Sequence, residues 1–132
     1  TEYEKGFLER LIEGEGSILC TRRKREGWFY GLFTLKLSIS NNCRELLEKA
    51  KLIIGTGTIV EKNDKKRGFK GYEYRVHAGT LRWLLPQLHF IIPKKEQRRL
   101  AIINYLPHIK IGQNQYFRKE RKSLIKELIK HF

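Results

Sequence analysis

The chain has 132 residues, enough for one domain with its own apolar core. Its 28 Lys and Arg against 14 Asp and Glu leave a formal charge of +14, an excess that points to a polyanionic partner. With 40% apolar and 11% aromatic residues it is too hydrophobic for a disordered basic tail, and no apolar run approaches the ~20 residues of a membrane span.

Residues about 3–14 read as an amphipathic helix, with Phe7, Leu8, Leu11 and Ile12 on one side. Gly14-Glu15-Gly16 ends it and a β-type run begins at Ile18. A helix C-terminus is the negative end of the dipole, so a carboxylate at Glu15 is unfavourable there unless a cation joins it. A divalent metal beside phosphates is one such partner. An ordinary core helix with a glycine cap is the alternative reading of the same residues.

Strands follow at 18–25 and 28–40, joined near Glu26-Gly27. In the second, Trp28, Tyr30, Leu32, Thr34, Lys36, Ser38 and Ser40 alternate with the more apolar set Phe29, Phe33, Leu35, Leu37 and Ile39, the pattern of a half-buried antiparallel strand. Asn41-Asn42 is expected to cap a helix at about 43–54 with a Leu46, Leu47, Ala50, Ile53, Ile54 stripe, ended by Gly55. A second hairpin has arms 58–63 and 71–77 and a basic tip from Asn63 to Gly71. Thr80 is expected to cap a short helix that Pro86 breaks, Pro93 to open another running to about Tyr105, and a last helix is expected at about 115–131. The order, helix, hairpin, helix, hairpin, helices, is α+β: an αββαββα core with a four-stranded antiparallel sheet and helices on one face. The whole of 1–132 is read as a single domain, with a core at about 3–105 and a C-terminal helical extension at about 106–132.

The nine residues Leu8-Glu9-Arg10-Leu11-Ile12-Glu13-Gly14-Glu15-Gly16 resemble the LAGLIDADG motif of homing endonucleases. Leu8, Leu11, Ile12 and Gly16 match it, Glu13-Gly14-Glu15 stand in for its Asp-Ala-Asp, and Ser17-Ile18 is a familiar continuation. The chain departs from it at Glu9-Arg10, where the family has Ala-Gly and two such helices pack closely. The resemblance implies a saddle-shaped sheet, and with one motif copy it implies a homodimer that meets through this helix, here Phe7, Leu8, Leu11 and Ile12. It implies a Mg²⁺-dependent endonuclease cutting double-stranded DNA at a long near-palindromic target to leave short 3′ overhangs, with Mn²⁺ or Ca²⁺ able to substitute for binding. The gene would be carried in an intron or intein, and a free-standing domain fits an intron product better.

The same resemblance assigns roles. Glu15 maps onto the catalytic metal-binding acid, and Gly14 is a plausible carbonyl ligand beside it. Ile92-Pro93-Lys94-Lys95-Glu96-Gln97 resembles the family's Lys-x-x-Gln segment, which points to Lys94 as the active-site base or charge stabiliser, with Lys95 in reserve. Asn41 resembles the polar residue that orders active-site water; read without the resemblance, it is a helix cap and Lys94 a solvated cation. Strand alternation places Thr21, Arg23, Arg25, Tyr30, Thr34, Lys36 and Ser38 of the first hairpin, and Thr58, Lys62, Arg75 and His77 of the second, on a face able to read base edges in a major groove. Lys65, Lys66, Arg67 and Lys70 are better suited to phosphates, which position without reading.

Cys20 and Cys43 have no CxxC or zinc-like spacing and read as free thiols of a reducing compartment; the scattered His77, His89, His108 and His131 suggest no zinc. No signal-peptide pattern is visible, so the expected location is intracellular, in a prokaryotic or archaeal cytoplasm or an organelle, with no membrane and no small-molecule cofactor. The start at Thr1, without an initiator Met, suggests a trimmed chain or a segment of a longer reading frame. Two other functions fit the composition: a non-cleaving DNA- or RNA-binding protein of the same fold, such as a maturase or regulator, and a basic scaffold with no sequence preference.

Overall fold

The computed structural model describes residues 1–23, 32–64, 69–105, 127–128 and 130–132. Helix α1 spans Glu2–Glu15, β1 Gly16–Arg23, β2 Leu32–Asn41, α2 Arg44–Ile54, β3 Thr58–Asp64, β4 Phe69–His77, α3 Ala78–Leu84 and α4 Pro93–Tyr105, with a single 3₁₀ turn at Leu85–Gln87. The strands form one antiparallel sheet in the order β1-β2-β4-β3. This is the α+β arrangement that the hydrophobic pattern implies.

One face of the sheet is dry. Ile18, Leu35, Leu37, Ile39, Tyr74 and Val76 are buried there against Leu8, Leu11 and Ile12 of α1, Leu47, Ala50 and Ile54 of α2, Leu81 and Leu84 of α3 and Ala101 and Ile102 of α4. The strict period of two in β2 causes this: Leu35, Leu37 and Ile39 point inward, while Lys36, Ser38 and Ser40 point to the opposite face. Leu128 also reaches the core, Arg98 lies over the Phe132 ring, and Gln97 Nε2 contacts His131 Nδ1 at 3.1 Å, so the chain's C-terminal end packs against α4. The expected helix at about 115–131 otherwise lies outside the described residues.

Several boundaries differ from the sequence reading. Helix α1 starts at a Thr1 capping box, in which the Thr1 hydroxyl accepts from Glu4 N–H, and it continues through Glu15. Its end is tight: a Cβ at Gly16 would lie 2.9 Å from Ile12 O and 3.0 Å from Ile12 Cα, which is why the chain turns from helix to strand at a glycine. Cys43, not Asn42, is the cap residue of α2, and the Asn41 side chain instead accepts from Cys43 N–H at 2.8 Å, closing an Asx-type turn. Thr80 is not a cap. Helix α3 begins directly after β4 with His77 at its cap position, because burial of Ala78 and Leu81 draws the helix one turn earlier than the Thr80 signal.

Leu8, Leu11 and Ile12 are 3%, 8% and 0% exposed, and Phe7 packs partly against the same core. These four residues therefore serve the chain's own interior. The outward line of α1 is Gly6, Arg10 and Gly14, spaced four apart; a Cβ at either glycine would meet nothing within 4 Å.

Gly57 carries the hairpin entry. Its φ is +110°, and a Cβ there would sit 2.8 Å from Arg75 O and against the Tyr74 ring. The buried Tyr74 hydroxyl donates to Thr56 O beside it. Gly57→Ala is expected to cost about 2–4 kcal/mol, from left-handed strain and overlap together, as measured by urea unfolding.

Candidate nucleic-acid interface and active site

The exposed face of the sheet and the C-terminal end of α1 meet at one edge. Gly16 pairs with Ile39, so Glu15 stands just before the start of β1, level with the last residues of β2. There Glu15, Ser40, Asn41, Asn42, Lys62, Gly71 and Tyr72 line an open cleft of about 370 Å³. Three residues singled out from the sequence, Glu15, Asn41 and Lys62, thus share one cleft.

Gly14 and Glu15 are exposed, and among the described residues no side chain pairs with the Glu15 carboxylate. The neighbouring Glu13 is used quite differently. It is buried, its Oε2 accepts from Ile91 N–H at 2.8 Å and Ile92 N–H at 2.9 Å, and its Oε1 lies 3.1 Å from an Arg10 guanidinium nitrogen, a charge contact without hydrogen-bond alignment. Glu96 accepts from Phe90 N–H at 3.0 Å and holds the buried Arg99 guanidinium, which in turn donates to Leu85 O at 3.2 Å. Two carboxylates therefore engage three successive backbone N–H groups ahead of α4, where orphan donors and the positive end of the dipole favour anions.

That anchoring sets the direction of the lysines. Lys95 Nζ donates to Ile12 O at 2.9 Å and to Glu13 O, placing a cation on the last turn of α1. Burial pushes the Lys95 amine below its ordinary value, partly offset by Glu13 and Glu15. Lys94 is exposed at the α4 start, and neither lysine lines the cleft. Counting back from Gln97 selects Lys94; the helical phase of α4, set by burial of Arg99, Ala101 and Ile102, turns Lys95 toward α1 instead.

On the open face, strand register aligns Lys36 with His77, Ser38 with Arg75 and Ser40 with Glu73 across β2 and β4, and Thr58 with Arg75 across β3 and β4. Lys36, Ser38, Thr58, Lys62, Arg75 and His77 therefore share that face, as their alternation implies. Ser17 and Leu19 of β1 join them opposite Ser38 and Lys36, and Val60 joins opposite Glu73. Ser17 and Leu19 were legible from the same alternation that places Thr21. Thr21, Arg23, Thr34 and Lys70 fall on strands, but their side chains lie outside the described residues; Arg25, Tyr30, Lys65, Lys66 and Arg67 lie outside them entirely.

Glu73 lies at the centre of this basic face. Its side chain is 4% exposed, with Lys36 Nζ at 3.9 Å and direct ion pairs to Lys62 and Arg75. Burial alone would raise its pKa, but the hydrogen bonds and charges of Lys62 and Arg75 outweigh burial and hold the carboxyl at about 2.

Oxygen donors at Gly14 and Glu15 suit a hard ion that keeps several waters, such as Mg²⁺. Among the described residues no group of three or more His, Cys, Asp or Glu side chains comes together. Cys20 is half-buried and Cys43 exposed, with no disulfide between them. No described helix is long and apolar enough to cross a membrane.

No family model matches the sequence, and no curated protein matches it. Solved structures do. The archaeal intron-encoded homing endonuclease I-Vdi141I, complexed with DNA, is 26% identical with a TM-score of 0.69 over 99% of this chain and 85% of that one. The group I intron-encoded homing endonuclease I-CeuI, complexed with DNA, is 20% identical with a TM-score of 0.68, covering 81% of this chain and 55% of that one. The LAGLIDADG homing endonuclease I-SmaMI, bound to cleaved DNA, is 19% identical with a TM-score of 0.68. The match covers 95% of this chain and 41% of I-SmaMI, so this chain spans well under half that length. The I-Vdi141I likeness runs nearly the full length of both molecules; the others speak to the fold.

Because the folded-state pKa of Glu73 is depressed, its contribution to stability is full above pH 4.5 and is lost as pH falls through about 2. Glu73→Gln is expected to be less stable than wild type by about 2 kcal/mol at neutral pH, the partly exposed partners discounting the full shift. The gap should narrow in urea unfolding curves taken from pH 5 down to pH 2.

Proposed function

We propose that this chain, which belongs to the LAGLIDADG homing endonuclease family, is a site-specific double-strand DNA endonuclease acting as a homodimer with Mg²⁺. The observation that carries this reading is Glu15: an exposed carboxylate at the negative end of a helix, without a partner among the described residues, beside a basic sheet face. Two copies meeting through α1 would bring two such carboxylates together, and their mutual repulsion would be relieved by cations. The Gly6, Arg10 and Gly14 line of α1 is the side left for a second copy, since Leu8, Leu11 and Ile12 are occupied internally.

A bound Mg²⁺ would polarise the phosphate and lower the pKa of an attacking water. The protein's own groups do the rest. Glu15 and the Gly14 carbonyl would hold the ion. Lys95 supplies positive charge at the α1 terminus, where its amine donates to the Ile12 and Glu13 carbonyls. Asn41 is held by its bond to Cys43 N–H at the cleft wall, where it can fix a water. The open sheet face lies along the DNA groove and reads it, and cleavage at a long near-palindromic site leaves short 3′ overhangs. An intron-encoded origin is in keeping with I-Vdi141I and I-CeuI, which are both intron-encoded. The non-cleaving alternative draws on Arg10, an exposed side chain between two glycines on the helix line that a second copy would have to cover.

Purified protein with Mg²⁺ is expected to linearise a plasmid carrying the insertion site of its gene. Glu15→Gln is expected to bind that DNA within about threefold of wild type while cleavage falls by at least ~10³, the scale of a lost metal-binding acid. Equal behaviour of wild type and variant, both binding without cutting, would support the non-cleaving reading instead.

The two lysines separate the same way. Lys95→Ala is expected to slow single-turnover cleavage by ~10²–10⁴, and Lys94→Ala by less than about threefold. Gly14→Ala has room within the chain and favours the helix by roughly 0.5–1 kcal/mol, so any loss of dimer in sedimentation measures contact with a second copy.

A further inference from the structure

We propose that Glu73 is a specificity-determining positioning residue, holding Lys36, Lys62 and Arg75, from three different strands, in the arrangement with which the open sheet face tells one DNA sequence from another. This rests on the reading of that face as a DNA-binding surface. The Glu73 side chain is 4% exposed, whereas those of Lys36, Lys62 and Arg75 are 31%, 52% and 38% exposed. The carboxylate is out of a ligand's reach and the three cations are within it.

A face that only gripped phosphates would do better without this carboxylate. Phosphate contacts neutralise charge without reading sequence, and an internal anion weakens the field that drives them. What a buried carboxylate supplies is order. Long Lys and Arg side chains lose much rotamer freedom when they bind; here that ordering is done before DNA arrives. Donors presented from set positions are what hydrogen bonding to base edges requires.

The strands are built for the arrangement. Glu73 lies on the inner strand β4, with uncharged Ser40 and Val60 as its cross-strand neighbours. Lys62 is opposite Gly71, which has no side chain, so Lys62 has a clear path along β4 to Glu73. Arg75, two residues on, engages the same carboxylate through its Nε. The carboxyl stays ionised at every pH near neutrality, so the arrangement is permanent rather than switched.

The test compares wild type, Glu73→Gln, Lys62→Gln and the double variant, with Ca²⁺ in place of Mg²⁺ to prevent cutting. Each is titrated, across a salt series, with a duplex selected by wild type from a random-sequence pool and with a scrambled duplex of equal length and composition. Glu73→Gln should bind the scrambled duplex about two- to tenfold more tightly at low salt, while the ratio of selected to scrambled affinity falls at least ~10-fold. Lys62→Gln should also lower the ratio, and the double variant should be no worse than Glu73→Gln alone, the non-additivity expected of residues acting as one unit. An unchanged ratio in Glu73→Gln overturns the inference. If that variant fails to unfold cooperatively, Lys62→Gln decides, and an unchanged ratio there overturns the inference equally. A wild type with no sequence preference overturns the DNA-reading assignment of the face itself, and this inference with it.

Discussion

The C-terminal end of α1 is the constraint on which the rest depends. A helix that finishes against a sheet leaves carbonyls to satisfy, and the start of α4 leaves N–H groups to satisfy. The chain solves both at one junction: Lys95 covers the carbonyls of Ile12 and Glu13, and the Glu13 carboxylate takes the N–H groups of Ile91 and Ile92. With Glu13 committed inward, Glu15 remains outside, its carboxylate without a hydrogen-bond partner among the described residues. The two acids of one motif thus have separate tasks, one joining α1 to α4 and the other facing whatever approaches the sheet edge.

The same junction explains the electrostatics of the cleft. A carboxylate on a helix C-terminus is disfavoured by the dipole, and Lys95 relieves only part of that, since its charge is shared between two carbonyls and the nearby acids. Glu15 is therefore left in a place where a metal ion is welcome. On the open face the order is reversed. There the anion, Glu73, is buried and satisfied, and the cations are outside. A polyanion laid on the sheet would meet positive charge along it and the Glu15 carboxylate at its edge, which is the division of labour that binding and hydrolysing a phosphodiester would need.

Local pattern and tertiary packing contribute differently to legibility. The alternation in β2 assigns Leu35, Leu37 and Ile39 to the core and Lys36 and Ser38 to the outside, because a strand's period of two leaves no other choice once one residue is buried. The α4 start is equally plain, since proline suits the first helical turn. Thr80 misleads because a capping signal is local, whereas the start of α3 is decided by burial of Ala78 and Leu81. Which of Lys94 and Lys95 faces α1 is not legible from the short motif either: a motif counts residues, but the side that faces α1 follows from the helical phase of the whole of α4.

By itself, the sequence determined the fold class, the strand faces, the basic character of the molecule and the prominence of Glu15, all of which are properties of spacing and charge along the chain. Only the tertiary structure decided that Lys95 rather than Lys94 reaches α1, that Leu8, Leu11 and Ile12 belong to the chain's own core, and that Glu73 gathers three cations. These depend on which residues distant in sequence are brought within a few ångströms of each other, as 82 positions separate Lys95 from Glu13. Periodicity reports which way a side chain points and is silent on what it meets.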